Sequence, residues 1–193
     1  MSRDAILAAV RARQGDPAPL PTIPSFPPVP RADLLARFRA VLEQVGGAWT
    51  VRAPGSDLGE VIREHYPDAE RIVSTIDEPP GSTFAVTEGT SPSDLVQVQL
   101  GIVRGQFGVA ENAAVWVDDG QLPHRSLPFV AEHLVLLLST SEIVTDMHAA
   151  YGALSGDHPG YGVFISGPSK TADIEQALVI GAQGPRSLLV VLD

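Results

Sequence analysis

The stretch "SGPSKTADIEQALVIGA", residues 166–182, holds the one lysine of the chain, Lys170; the other basic side chains are arginines. It stands in a Ser/Gly/Pro loop, just ahead of a run with helical spacing. Ser169, Thr171 and the backbone N–H groups near Gly167 could cradle a carboxylate or phosphate, with Lys170 as a point charge, because a helix start directs its N–H groups at such a loop. The stretch is not a P-loop. Gly162 and Gly167 have the right separation, but Pro168 stands where lysine should follow. Asp173 and Glu175 already offset the helix dipole, which leaves hydroxyls or a carboxylate as the better ligands. The purely local alternative is a Thr171 cap and a solvated Lys170.

Two other stretches carry chemistry. In "TEGTSPSD", residues 87–94, Glu88, Gly89 and Thr90 could hold a ligand hydroxyl, or form an ordinary polar turn. In "GQFGVAENAAVW", Glu111-Asn112 sits at a tight turn flanked by Gly108, Ala110, Ala113 and Ala114. Small neighbours let a ligand approach the backbone. A glutamate there could act as nucleophile or base, with Asn112 as hydrogen-bond partner; the alternative is a turn residue beside a solvated carboxylate. The histidines, at 65, 124, 133, 148 and 158, form no HxH or HxxxH pair, so no local metal site is expected. His148 falls on an expected helix after a strand and could face a cleft. Asp118-Asp119-Gly120 reads as a turn, and Asp157-His158 as a surface loop.

The elements that must position these groups follow from periodicity. Residues 3–13 read as a short helix. Residues 15–30 contain seven prolines, so they read as an extended linker able to accept insertions. From residue 31 the pattern is α/β. Leu34, Leu35, Phe38, Val41, Leu42 and Val45 share helical spacing, and Gly46 stops them. "AWTVRA" and "RIVSTI" read as strands around a helix that starts at Asp57. Alternation predicts a strand over 94–103. "FGVAENAAVWVDDG" reads as two strands about the Glu111-Asn112 turn, and "EHLVLLLS" as a strand covered on both faces. A helix is expected from Ser139, with Glu142 at capping-box spacing. The final unit reads as strand 161–166, loop, helix 172–182 and strand 187–192: a right-handed βαβ crossover with both strands in one parallel sheet.

Composition bounds the function. The chain has 193 residues and is 44% hydrophobic and 19% charged, which suits a packed domain over residues 31–193 behind an N-terminal segment, 1–30. It has no cysteine, so it offers no disulfide, thiolate zinc site or cysteine-held iron–sulfur cluster. A net charge of -10 disfavours nucleic acid as a partner. No apolar run reaches membrane-spanning length, and the charged N-terminus lacks signal-peptide form; a cytoplasmic location is expected.

"FISGPSKTADIEQALVIGAQGPRSLLVVL" resembles the C-terminal signature of the lactate utilisation protein C family, the LUD domain. "VQLGIVRGQFGVAENAAVWV" resembles the central segment of that family, which often reads AETGT where this chain has AENAA. The resemblance covers roughly residues 31–193. It implies an α/β/α sandwich with a mostly parallel sheet, of the NagB/RpiA/CoA transferase-like type. It also implies a role in oxidising L-lactate to pyruvate with two partner proteins, one of them carrying iron–sulfur clusters; the loop residues themselves point to a small organic anion as ligand. In CoA transferases a glutamate in a Glu-Asn/Ser-Gly turn forms a thioester. Glu111-Asn112 is similar, with Ala113 in place of the glycine. That leaves a second reading, a small-molecule transferase or isomerase using Glu111. No cofactor is expected. The purified chain should therefore carry no iron, flavin or zinc, and stoichiometric metal in elemental analysis would overturn this.

Overall fold

The computed structural model describes residues 2–15, 18–19, 21–22, 29–87, 89–154, 160–172 and 178–193. Most of the Pro-rich segment between residues 16 and 28, Glu88, Asp157-His158 and the middle of the expected last helix, including Asp173 and Glu175, lie outside them.

Helix α1 spans Arg3–Arg13, is capped by Ser2, and buries none of its residues. Helix α2, Arg31–Gln44, buries Leu34, Phe38 and Leu42, a spacing of four that keeps them on one face. It ends where Gly46 takes a φ of +79°, a conformation open to glycine. Strand β1 is Ala48–Val51. Helix α3, Leu58–His65, begins on Asp57, whose carboxylate accepts from the Gly59 N–H at 2.8 Å. Strand β2 is Ile72–Ser74. These match the expectation closely.

The next segment differs. The alternating run over 94–103 is not one strand. Ser91 caps a single helical turn, α4, Pro92–Leu95, because proline at a first helical position is already set for that turn. Strand β3 starts only at Leu100 and runs to Arg104. Strands β4, Phe107–Val109, and β5, Val115–Asp118, then pair antiparallel around the Glu111-Asn112 turn, as expected. A short helix α5, Leu127–Val130, leads to β6, His133–Leu138.

The helix expected from Ser139 starts later. Thr140–Glu142 forms a 3₁₀ turn and Ile143–Val144 forms β7, paired with β4. Helix α6, Met147–Ala153, takes Asp146 as its cap. Strand β8 is Gly162–Ile165. The largest correction follows. Lys170–Ala172 and Leu178–Ile180 are strands β9 and β10, an antiparallel pair with Thr171 opposite Val179. Residues 170–172 and 178–180 are therefore not part of a helix. Strand β11 is Ser187–Leu192.

A five-stranded sheet in the order β1-β11-β6-β3-β2 has all four pairings parallel. Strand β8 is not in it. It pairs antiparallel with β5 in a second sheet, β7-β4-β5-β8, so 161–166 and 187–192 do not form the expected parallel βαβ unit. The main sheet is nonetheless mostly parallel and flanked by helices, the α/β class expected. Leu134, Leu136 and Leu138 of β6 and Leu188, Val190 and Leu192 of β11 join one core with α2, Val115 and Val117. Val135, Leu137, Leu189 and Val191 join the opposite core with Leu58 and Ile62 of α3. The second sheet thus shares one covering layer with α2, and its outer side packs Phe107 and Val109 with Ala150 of α6.

Phe38 is fully buried where α2, Gly108 and Leu138 meet; a Cβ on Gly108 would stand 3.0 Å from its ring. Phe38→Ala should cost about 3–5 kcal/mol, since the surrounding strands cannot collapse into the space. Urea unfolding measures it, and a loss below about 1 kcal/mol would mean that α2 does not clamp the two sheets.

Candidate functional site

The β4–β5 turn places Glu111 beside the start of α6. Its Oε2 accepts from the Met147 N–H at 2.9 Å. Asp146 Oδ1 accepts from the Ala149 N–H at 2.8 Å, and its Oδ2 from the Thr145 hydroxyl at 2.9 Å. Two carboxylates thus satisfy two of the helix's four orphan donors. The backbone and Thr145 hydrogen bonds hold the Asp146 carboxyl below its ordinary range.

Glu111, Thr145, Asp146, Met147 and His148 line a cleft of about 370 Å³, completed by Arg37 from α2 and Val29. Arg37 makes no ion pair among the described residues. The cleft therefore gathers a guanidinium with no ion pair among the described residues, an imidazole, and two carboxylates turned onto backbone N–H groups. His148 faces this cleft, as its position after a strand suggested. Arg37 and Asp146 were not singled out from the sequence: one lies mid-helix more than 70 residues before the turn, and the other falls inside the helix expected from Ser139.

The small residues around Glu111 have a packing reason. Ala110, Ala113 and Ala114 are buried, at 0–2% exposure, and face the core rather than a ligand. Ala113 holds a φ of +54°, where an alanine Cβ costs about 1–2 kcal/mol. Asn112 Oδ1 accepts from the Ala114 N–H at 3.1 Å and closes the turn.

The signature loop sits elsewhere. It leaves β8, which belongs to the second sheet, so it does not open at the C-terminal edge of the parallel strands. Ser166 donates its hydroxyl to the Asn112 carbonyl at 2.6 Å, which ties the loop's start to the Glu111 turn. The loop then crosses to the end of α2. Lys170 Nζ donates to the Val45 carbonyl, a cation on a helix C-terminus. Gly167, at φ +73°, passes so close that a Cβ would stand 2.5 Å from the same carbonyl oxygen. The Ser169 N–H donates to the Pro185 carbonyl at 2.9 Å. Thr171 pairs in the hairpin, so it caps no helix.

Glu111 and Lys170 therefore engage different elements. Arg37 and Val45 are eight residues apart on α2, about 12 Å along its axis. None of Gly89, Thr90, Gly167, Ser169, Lys170 and Thr171 lines the Glu111 cleft. Thr90 closes its own turn, its hydroxyl accepting from the Thr87 N–H at 2.9 Å. Glu88 lies outside the described residues. Among those residues, no three His, Asp or Glu side chains converge to hold a metal ion.

Asp146→Ala should destabilise the domain by about 1 kcal/mol through loss of the cap. The depressed carboxyl contributes above its unfolded pKa, and that contribution fades as pH falls through the folded value. The gap between wild type and variant should therefore be full at neutral pH and shrink below about pH 4. A pH-independent gap in thermal unfolding would remove the charge from the explanation.

Residues 87–192, more than half of the chain, match the LUD domain. A lactate utilization protein C of Halalkalibacterium halodurans is 32% identical over 104 residues, covering 50% of this chain and 45% of that protein. Another, of Bacillus pumilus, is 30% identical over 104 residues, covering 50% and 43%. An uncharacterized protein of Neisseria meningitidis serogroup B is 31% identical over 97 residues, covering 49% and 42%. The matches take in less than half the length of these relatives. The crystal structure of a DUF162 family protein from Deinococcus radiodurans superposes with a TM-score of 0.60 at 17% identity, covering 86% of this chain and 99% of that one. That likeness carries the fold. With the family match across the central turn and the signature loop, the chain belongs to the LUD domain family.

Proposed function

We propose that this chain is a subunit of a system that oxidises L-lactate to pyruvate, and that it binds a small organic anion in the Glu111 cleft. The observation that carries this reading is the Arg37 guanidinium, without an ion pair among the described residues, lining the same cleft of about 370 Å³ as His148, a volume suited to a small ligand. Arginine recognises a carboxylate through two parallel N–H bonds. Removing two electrons from lactate requires an acceptor. A chain without cysteine has no thiolates to hold an iron–sulfur cluster, so the electrons pass to iron–sulfur partner subunits. The relatives' names support the setting. The signature loop, through Lys170, positions the end of the helix that carries Arg37.

A second reading is favoured by one feature. Ala113 takes the left-handed conformation that glycine would take in a Glu-Asn-Gly turn, which suits a transferase with Glu111 as nucleophile. A coenzyme A adduct on Glu111 after incubation with an acyl-CoA, read by mass spectrometry, would favour this reading over the first.

Calorimetric titration with L-lactate and pyruvate tests the proposal. Arg37→Ala should weaken binding about tenfold or more, since a hydrogen bond to a charged group contributes about 1.5–3 kcal/mol. Glu111→Gln keeps an oxygen for the Met147 N–H, so it should fold normally yet fail to support growth on lactate. Unchanged affinity in Arg37→Ala would reject the cleft. Failure of iron–sulfur proteins to co-purify from lactate-grown cells would reject the partners.

A further inference from the structure

A second cleft, of about 320 Å³, opens at the N-terminal edge of the parallel sheet and shares no residue with the first. The sheet register builds its back wall. Ser187 and His133 begin β11 and β6 and stand directly opposite each other. Ser187 Oγ lies 2.7 Å from His133 Nδ1 and 3.1 Å from the Tyr66 hydroxyl. The Tyr66 ring packs against the imidazole at 5.2 Å. Burial pushes the Tyr66 hydroxyl up, so it stays a donor at neutral pH. The distances allow two directions of donation; in one, Tyr66 donates to Ser187 and Ser187 donates to Nδ1. The His133 proton then sits on Nε2, the nitrogen left for the cleft.

Three other lining residues, His65, Gln99 and Glu132, are each held by a hydrogen bond. His65 Nδ1 lies 2.9 Å from the Val61 carbonyl. A carbonyl only accepts, so His65 keeps its proton on Nδ1 and has an Nε2 lone pair to offer. Gln99 Oε1 accepts from the Glu70 and Arg71 N–H groups at 2.8 and 2.9 Å, which leaves its amide hydrogens. Glu132 gives Oε1 to Arg186 at 2.7 Å and keeps Oε2. Asp68 completes the lining.

From this arrangement we infer a second binding site, one that takes a small neutral polyhydroxylated molecule of sugar type. With the His133 proton on Nε2, the lining offers that N–H and the Gln99 amide as donors, alongside His65 Nε2, Glu132 and Asp68 as acceptors. A hydroxyl group donates and accepts at once, so a polyol can use all of them. An anion would meet two carboxylates, and a cation would leave the donors unmet. The imidazoles and carboxylates do not converge as a metal site among the described residues. The Tyr66 ring supplies an apolar face of the kind that polar small-molecule sites combine with a few aimed hydrogen bonds.

The test is a titration of the full chain with glucose, followed by NMR of the imidazole nitrogens, with acetate and ethylammonium as ionic controls. Saturable shifts of the His133 and His65 rings with glucose alone are expected. His133→Phe keeps a ring against Tyr66 and should weaken glucose binding about tenfold or more. His133→Gln serves if the phenylalanine variant is unstable. Ser187→Ala should mix the two His133 tautomers and weaken binding, while Ser187→Thr restores both. Shifts that never saturate, tighter binding of either ion, or undiminished glucose affinity in the His133 variants would each overturn the site.

Discussion

Everything in this molecule hangs on two parallel strands buried on both faces. From Leu134 to Leu138 and from Leu188 to Leu192, every side chain is at most 2% exposed. Successive residues point to opposite faces, so each strand must be covered twice. Each of these side chains contributes about 1.5–3 kcal/mol relative to leaving it in water. A polar group within either run would forfeit that and remain unpaired. Polar chemistry is thereby driven to the strand ends. Ser187 and His133 sit at the starts, and Asp193 and Thr140 meet at the finish, where the Thr140 hydroxyl donates to the Asp193 carbonyl at 3.1 Å. The second cleft exists because parallel register puts the first polar residues of β6 and β11 side by side.

The need for a second cover also explains the small sheet. Helix α3 covers one face. Helix α2 covers only part of the other, which Val115 and Val117 of β5 cover together with Leu95 of α4 and Leu127 of α5. Strand β8 is committed to β5, so the chain must travel from the small sheet back to the N-terminal edge of β11. The signature stretch makes that journey. It hydrogen-bonds the Asn112 turn through Ser166, caps α2 through Lys170, and meets Pro185 through Ser169. Its glycine is required because the Val45 carbonyl lies against it. The stretch that makes the family recognisable is a brace between the two sheets and the helix that carries Arg37.

What could be read from the residues depended on whether the signal was local. Helix α2 announced itself by four-residue spacing and a glycine stop, α3 by its aspartate cap, β6 by an unbroken apolar run, and the β4–β5 turn by small residues around an asparagine. The failures have two causes, tertiary pairing overriding propensity in one and a local cap overriding alternation in the other. "KTADIEQALVI" has helix-forming composition, yet Leu178, Val179 and Ile180 pair with 170–172 and stay 41–63% exposed. "DLVQV" alternates like a strand, yet Ser91 and Pro92 start a helical turn that reaches Leu95 and leave Val96 68% exposed. Glu111 was legible as a candidate because its turn was. Arg37 and Asp146 were not, since the cleft gathers them from α2 and α6, and spacing carries no record of that meeting. The role of Lys170 on a helix end more than 120 residues earlier in the chain was hidden for the same reason.

The position of Glu111 sets a condition on any chemistry in its cleft. One carboxylate oxygen is bound to the first N–H of α6, so only the other is free to meet a ligand. Turning the whole carboxylate toward a substrate gives up that hydrogen bond, which is worth about 1.5–3 kcal/mol to a charged group and less at an exposed position. Asp146 still holds the Ala149 N–H, so the helix would survive the loss. A ligand that draws Glu111 away therefore loosens one N–H at the start of α6 without unwinding it. That N–H belongs to Met147, which itself lines the cleft beside His148. Occupancy of the cleft and the order of the first turn of α6 are in this way coupled through a single carboxylate.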